Sequence, residues 1–208
     1  MIPTYAVSID SAVPQSASFW TPTAEELDEE GAPGDFQNTE LIRTDLSEAH
    51  AVIDAEASAI RHVDLHSTTE REFDDLAADI EFEVPDVPSD EAPTFIVENN
   101  WYGVNGLELG VAGLVYALNA VGIVTSASCR SHHQEYAPWA NYPIVVFAAS
   151  RAQIDVLHPL VDAANCGFEI DDVNRSHLLA IVAPSVVEMM RLATSVLADS
   201  EDFPRVDN

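Results

Sequence analysis

The chain has 208 residues, of which 47% are hydrophobic, so it is long and apolar enough for one large domain or a domain with an appendage. Its formal net charge is −28, from 36 acidic residues against 8 arginines, and it contains no lysine. The resulting field repels phosphates, so direct binding of nucleic acid is disfavoured.

The negative charge is concentrated in the first part of the chain. Residues 1–92 carry 23 acidic residues and 3 arginines, a net charge of −20, whereas residues 93–208 carry 13 and 5, a net charge of −8. This predicts an acidic N-terminal arm and helical region over 1–92, followed by a domain over 93–208. The acidity is typical of a high-salt or lysine-poor proteome, or of a surface for a basic protein partner.

The sequence favours a cytoplasmic protein with no membrane segment. Its first residues form no basic and apolar leader, so we expect no signal peptide. The longest apolar run, from Gly110 to Val124, is too short to span a bilayer. Two cysteines, Cys129 and Cys166, are expected to be reduced thiols rather than a disulfide.

The elements before residue 93 are predicted to be an extended arm, two helices and a linker. The first 40 residues are rich in proline and acid, which is typical of extended chain. From 38 to 79 the apolar residues recur at helical spacing, and 81–91 again becomes rich in proline and acid.

From Thr94 onward strands and helices alternate. Asn105 with Glu108, Ser150 with Gln153, and Ser185 with Glu188 each have the spacing of a helix start. The three helices are expected to end near Gly122, Asn165 and Ala198. The predicted strands are Phe95–Val97, Ile123–Ala127, Ile144–Ala148, Phe168–Asp171 and His177–Val182.

The order β-α-β-β-α-β-β-α predicts an α+β fold, with a mostly antiparallel sheet and helices packed on one face. Since nearly all strand signals lie after residue 93, we expect residues 94–198 to fold without the first 92. The chain has no glycine-rich phosphate loop, so a nucleotide-binding unit of the common types is not supported.

The stretch from Ile123 to His133 contains the candidate site, where a strand gives way to a loop. Cys129 and His132 have the Cys-x-x-His spacing that lets two side chains bind one ion, and thiolate with imidazole suits zinc. His133 is the third predicted metal ligand. Further donors could come from elsewhere in the chain: Cys166, His158 and His177.

Two other interpretations of the stretch remain open. Cys129 could be a catalytic thiol with His132 as proton carrier, its pKa lowered by Arg130. Alternatively, the loop could bind a small or anionic ligand without covalent chemistry. The residues predicted for that binding are Thr125, Ser126, Ser128, Arg130, His133 and Tyr136. In the plainest interpretation, Cys129 fills core space and the histidines are solvated.

Residues 94–198 resemble the wybutosine-synthesis methyltransferases, which modify tRNA. The similarity lies in Leu118-Asn119, in the stretch from Thr125 to His132, and in the run from Ala163 to Phe168. Ser131 and His132 stand where the family has glycine and arginine. The resemblance implies an RNA-modifying enzyme that uses S-adenosylmethionine at the Cys129 loop.

Overall fold

A computed structural model describes residues 1–23, 44–81, 104, 106–132, 140–171 and 178–204. Five α-helices and four strands lie in these ranges. In chain order they are α1 Leu46–His66, α2 Glu70–Glu81, α3 Ala112–Ala120, β1 Val124–Cys129, β2 Ile144–Ala148, α4 Arg151–Ala163, β3 Gly167–Asp171, β4 Leu178–Val182 and α5 Val186–Ala198. A short 3-10 helix, Ser200–Asp202, follows α5.

The four strands form one antiparallel sheet in the order β1-β2-β4-β3. The predicted α+β class is therefore confirmed. Three of the predicted strand positions agree closely with β2, β3 and β4, and β1 extends two residues beyond the predicted end to include Cys129. The predicted strand Phe95–Val97 lies outside the described residues.

The two faces of the sheet bury different clusters of side chains. Val145, Phe147 and Ile181 belong to the larger cluster, which also contains apolar residues of α3, α4 and α5. Val146, Ala148 and Ala180 point to the opposite face, where Trp20 packs against them. The described helices thus cover one face of the sheet, as the element order predicts.

The predicted caps of α4 and α5 are present. Ser150 and Gln153 form a reciprocal capping box at the start of α4. At α5 the Ser185 hydroxyl accepts a hydrogen bond from the Val187 amide and donates one to Glu188. Both helices begin where these polar side chains satisfy the first backbone amides.

The predicted start of α3 near Asn105 and Glu108 is wrong. The helix begins at Ala112, because Gly106 and Gly110 have φ of +76° and +94°, which no right-handed helix contains. Its N-cap, Val111, makes no side-chain cap hydrogen bond. The carboxylate of Glu56 in α1 instead accepts the first amides, from Gly110 and Gly113.

The N-terminal helices pack directly on the rest of the chain. The larger cluster includes Ala49 of α1, and Val52 and Ile53 pack against it. A second cluster joins apolar residues of α1 and α2 to Leu109, Ala112 and Val186. Both clusters therefore contain residues from each side of position 92. None of the helices in the described ranges is long and apolar enough to cross a membrane.

Candidate metal centre

The end of β1 and the turn after it hold the candidate site. A register shift between Thr125 and Ala127 places Ser126 in a bulge. Asn119, near the end of α3, donates from Nδ2 to the Thr125 hydroxyl at 2.7 Å and accepts the Thr125 amide at 3.4 Å. These bonds tie the last turn of α3 to β1.

The hydroxyls predicted to surround a ligand do not share one face with the cysteine. Thr125 lies opposite Phe147, and Ser128 lies opposite Val145, both on the face covered by helices. Cys129 lies opposite Ile144, which belongs to the other face. Thr125 and Ser128 therefore point away from Cys129. The Ser126 hydroxyl oxygen is buried and makes no hydrogen bond among the described residues.

Three potential metal ligands converge at the end of β1. Carboxylate, thiol and imidazole atoms of Glu108, Cys129 and His132 all lie within 4.8 Å of one another. Among the residues that the structure describes, no other such group of three is found. Cys129 is buried, while the side chains of Glu108 and His132 are 25% and 30% exposed. Solvent can therefore reach one side of the group.

Hydrogen bonds connect Glu108 with His132 and with the backbone of Arg130. His132 Nε2 lies 3.0 Å from Glu108 Oε1, and the Arg130 amide donates to Glu108 Oε2 at 2.6 Å. Arg130 Nη2 lies 3.5 Å from His132 Nδ1. Because a guanidinium only donates, Arg130 Nη2 can act only as the donor towards His132 Nδ1.

The thiol of Cys129 is not activated. Burial, followed by the negative charge of Glu108, raises the pKa of Cys129 to about 12. A hydrogen bond to Glu108 also stabilises the protonated form, while the Ser131 amide, 3.3 Å from Sγ, acts in the opposite direction. The expectation that Arg130 lowers this pKa is wrong, because burial and the charge of Glu108 raise it. A thiol with a pKa this high is a poor nucleophile near neutral pH.

Arg130 lies in the interior, not at the surface. Its side chain is 1% exposed and forms ion pairs with Glu81 and Asp74 of α2, the Nε to Asp74 Oδ1 distance being 3.6 Å. Burial lowers the pKa of Arg130, and the charge of Asp74 opposes that shift. The guanidinium predicted to clamp an anionic ligand is therefore engaged by carboxylates of the chain itself.

Ser131 forms the turn between Cys129 and His132. Its φ of +69° reverses the chain after β1, and its hydroxyl donates to the Ala140 carbonyl at 3.2 Å. The Tyr5 side chain of the N-terminal arm also hydrogen-bonds to Ser131, and burial raises the pKa of this half-buried phenol. The arm thus contacts the turn that holds two of the three ligand atoms.

Two of the other predicted ligands, Cys166 and His158, do not join the cluster. Cys166 lies in the core on the helix-covered face, and burial raises its pKa to about 12. The exposed ring of His158 stacks on Phe168, with 6.4 Å between centroids. His133, Tyr136 and His177 lie outside the described residues, so their predicted roles stay predictions.

Glu108 is the member of this cluster that the sequence did not indicate. Its spacing from Asn105 indicated a helix cap, yet its carboxylate faces Cys129 and His132, which follow more than twenty residues later. A signal was available in Gly106 and Gly110, since glycines on both sides of Glu108 indicate a turn rather than a helix.

Comparison with protein-family models, with curated proteins and with solved structures finds no match to this chain.

Proposed function

We propose that the protein binds a divalent transition metal, best satisfied by zinc, through Glu108, Cys129 and His132. The observation that supports this is the convergence of one sulfur, one nitrogen and one oxygen donor within 4.8 Å. This donor set matches zinc, which binds thiolate, imidazole and carboxylate, whereas magnesium and calcium prefer oxygen alone.

The distances are compatible with closure around an ion. Ligand atoms of a tetrahedral zinc lie roughly 3.3–3.8 Å apart, as follows from zinc–ligand distances of about 2.0–2.3 Å. The donor atoms are at present separated by up to 4.8 Å, so the side chains must rotate to close around an ion. The Ser131 amide is already placed to hydrogen-bond a thiolate at Cys129.

The fourth ligand of such a metal determines whether the site is catalytic or structural. If water fills it, the ion is a Lewis acid that lowers the pKa of the water towards about 7, and the site supports hydrolytic chemistry. If His133 fills it, the site is closed and structural. We favour water, because Glu108 and His132 leave one side of the cluster open to solvent.

The experiment measures zinc in the purified full chain by mass spectrometry and its affinity by competition with a chelator. Wild-type protein should bind one zinc. Cys129→Ser, His132→Ala and Glu108→Gln should each lose it, because each removes one of the three donors. Cys166→Ala is the matched control, since it changes the other buried cysteine in a different part of the core. A wild-type chain that binds no zinc, or a Cys129→Ser chain that keeps full affinity, would show that the cluster is only a hydrogen-bonded network.

The variant His133→Ala separates the two forms of the site. With water as the fourth ligand, this variant keeps zinc, and added anions such as azide perturb the absorption spectrum of the cobalt-substituted protein. With His133 as a ligand, the variant binds zinc weakly and the wild-type cobalt spectrum does not respond to azide.

Two further functions stay predictions. One is an interaction protein whose acidic residues 1–92 bind a basic partner. The other is the methyltransferase-like RNA modifier that uses S-adenosylmethionine, as the resemblance implies. Location in the cytoplasm likewise stays a prediction.

A further inference from the structure

The backbone segment from Glu108 to Gly113 is held by two buried carboxylates from the N-terminal helices. Glu81 of α2 accepts the Leu109 amide at 2.7 Å. Glu56 of α1 accepts the Gly110 amide at 2.8 Å on Oε1 and the Gly113 amide at 3.1 Å on Oε2. Two successive amides directly after Glu108 therefore have carboxylate partners.

The glycines of this segment make the close approach of Glu56 sterically feasible. A Cβ atom at position 113 would lie 2.5 Å from Glu56 Oε2, which is closer than real contacts allow. A Cβ atom at position 110 would lie 2.4 Å from Val186 Cγ1. Only glycine lets the carboxylate reach both amides while the segment packs against α5.

The same segment determines where the Glu108 carboxylate lies. Its Oε2 accepts the Arg130 amide and its Oε1 faces His132 Nε2, so its side chain spans from this backbone to the turn after β1. Glu81 meets that turn as well, through its ion pair with Arg130. Both ends of the ligand cluster are thereby connected to α1 and α2.

We propose that Glu56 and Glu81 are positioning residues for the metal centre, which fix the backbone at Glu108 and so couple α1 and α2 to metal affinity. This inference rests on the proposed function. Groups that orient metal ligands typically change affinity by about 10- to 100-fold when they are removed. Neither carboxylate is part of the ligand group itself.

The variant Glu56→Gln tests the inference on the full chain. Glutamine keeps the size of the side chain but replaces one acceptor oxygen by an amide donor, so one of the two amides loses its partner. We expect zinc affinity to fall by about 10- to 100-fold. The sulfur-to-cobalt charge-transfer band of the cobalt form should also shift, since Glu108 no longer meets the ion in the same position. A purely structural role would change stability without moving that band.

Gly113→Ala is the second variant, and it alters neither a charge nor a ligand. Its Cβ displaces Glu56 Oε2, while alanine is the better helix former, so the variant is expected to fold. It should weaken zinc binding in the same direction. Asp155→Asn is the control for loss of one negative charge, because Asp155 is exposed on α4, where it pairs with Arg151.

The outcomes separate this inference from the proposed function. If the wild type binds zinc and both folded variants bind it with wild-type affinity and an unchanged cobalt spectrum, the positioning role is refuted while the metal site stands. If the wild type binds no zinc, the proposed function is refuted, and the positioning role is refuted with it. Should Glu56→Gln not give the near-ultraviolet circular dichroism of a folded chain, the result for Gly113→Ala decides.

Discussion

Folding disfavours ionisation of the buried carboxyl group of Glu56. Burial raises its pKa from 4.5 to about 7, because the interior disfavours the ionised form more than the amides of Gly110, Gly113 and Ala112 stabilise it. The folded state thus holds this proton over a pH range in which the unfolded chain has already released it. By linkage, the stability associated with Glu56 is complete below about pH 4.5 and is lost as the pH rises through about 7.

We therefore expect Glu56→Gln to flatten the pH dependence of stability between pH 5 and pH 8. The difference between 4.5 and about 7 corresponds to roughly 3 kcal/mol, so the free energy of unfolding of the wild type should fall relative to the variant as the pH rises. Urea denaturation of both chains at several pH values measures this. Parallel curves for the two chains would mean that Glu56 titrates near its ordinary pKa in the folded protein.

At the residue scale, the sequence indicated part of the site. Cys129 and His132 could be recognised because their spacing is local, and a Cys-x-x-His turn has a chemical meaning by itself. Glu108 could not be recognised as their partner, since the glycines beside it indicate only a turn, and its contact with them depends on how the segment before α3 packs beside β1. Arg130 was expected to face a ligand because nothing in the sequence indicates that Glu81 and Asp74 surround it.

The starts of the three later helices show how helix boundaries depend on where the capping group comes from. The starts of α4 and α5 were predictable, because Ser150 and Ser185 cap the helices from within their own segments. The start of α3 was not, because Glu56, which lies more than fifty residues earlier, accepts the amide of Gly110 just before the helix and that of Gly113 in its first turn. A cap supplied by another helix leaves no local pattern in the sequence.

Gly106→Ala and Gly110→Ala form a matched pair for this segment. Both glycines have positive φ, but a Cβ at 106 meets nothing within 4 Å, whereas one at 110 would overlap Val186. Alanine at 106 should cost about 1–2 kcal/mol, the penalty of the left-handed conformation. Alanine at 110 should cost about 1–3 kcal/mol more, because the core of α5 must shift. Chemical denaturation of both variants measures these changes in stability. Equal losses of stability would show that the Val186 side chain can move aside without cost.

The core contains residues from both sides of position 92, where the charge distribution predicted a domain boundary. The division at residue 92 followed a real change in composition, yet Ala49, Ile60 and Phe73 are buried in clusters with residues of the later segment. The net charge of residues 1–92 does not indicate the apolar faces that α1 and α2 bury, nor that Glu56 and Glu81 lie in the interior.

These contacts change the expectation for the isolated fragment 93–208. It would expose Leu109, Ala112 and Val186, and it would leave Arg130 without Glu81 and Asp74. Loss of the partner of a buried charge typically costs about 3–5 kcal/mol. We therefore expect the fragment to melt at a much lower temperature than the full chain or to show no cooperative transition. A fragment with the thermal stability of the full chain would support two independent domains.

The N-terminal arm also contacts β3, the edge strand at the opposite end of the sheet from β1. The Asp10 carbonyl accepts the Phe168 amide at 2.8 Å, and the Asp10 backbone approaches so closely that a Cβ at Gly167 would lie 2.9 Å from it. The arm thus occupies part of the outer edge of β3, where an unpaired strand would invite pairing with another chain. Because Asp10 covers backbone groups of this edge, we expect substitutions that detach the arm to make the protein more prone to aggregate in concentrated solution.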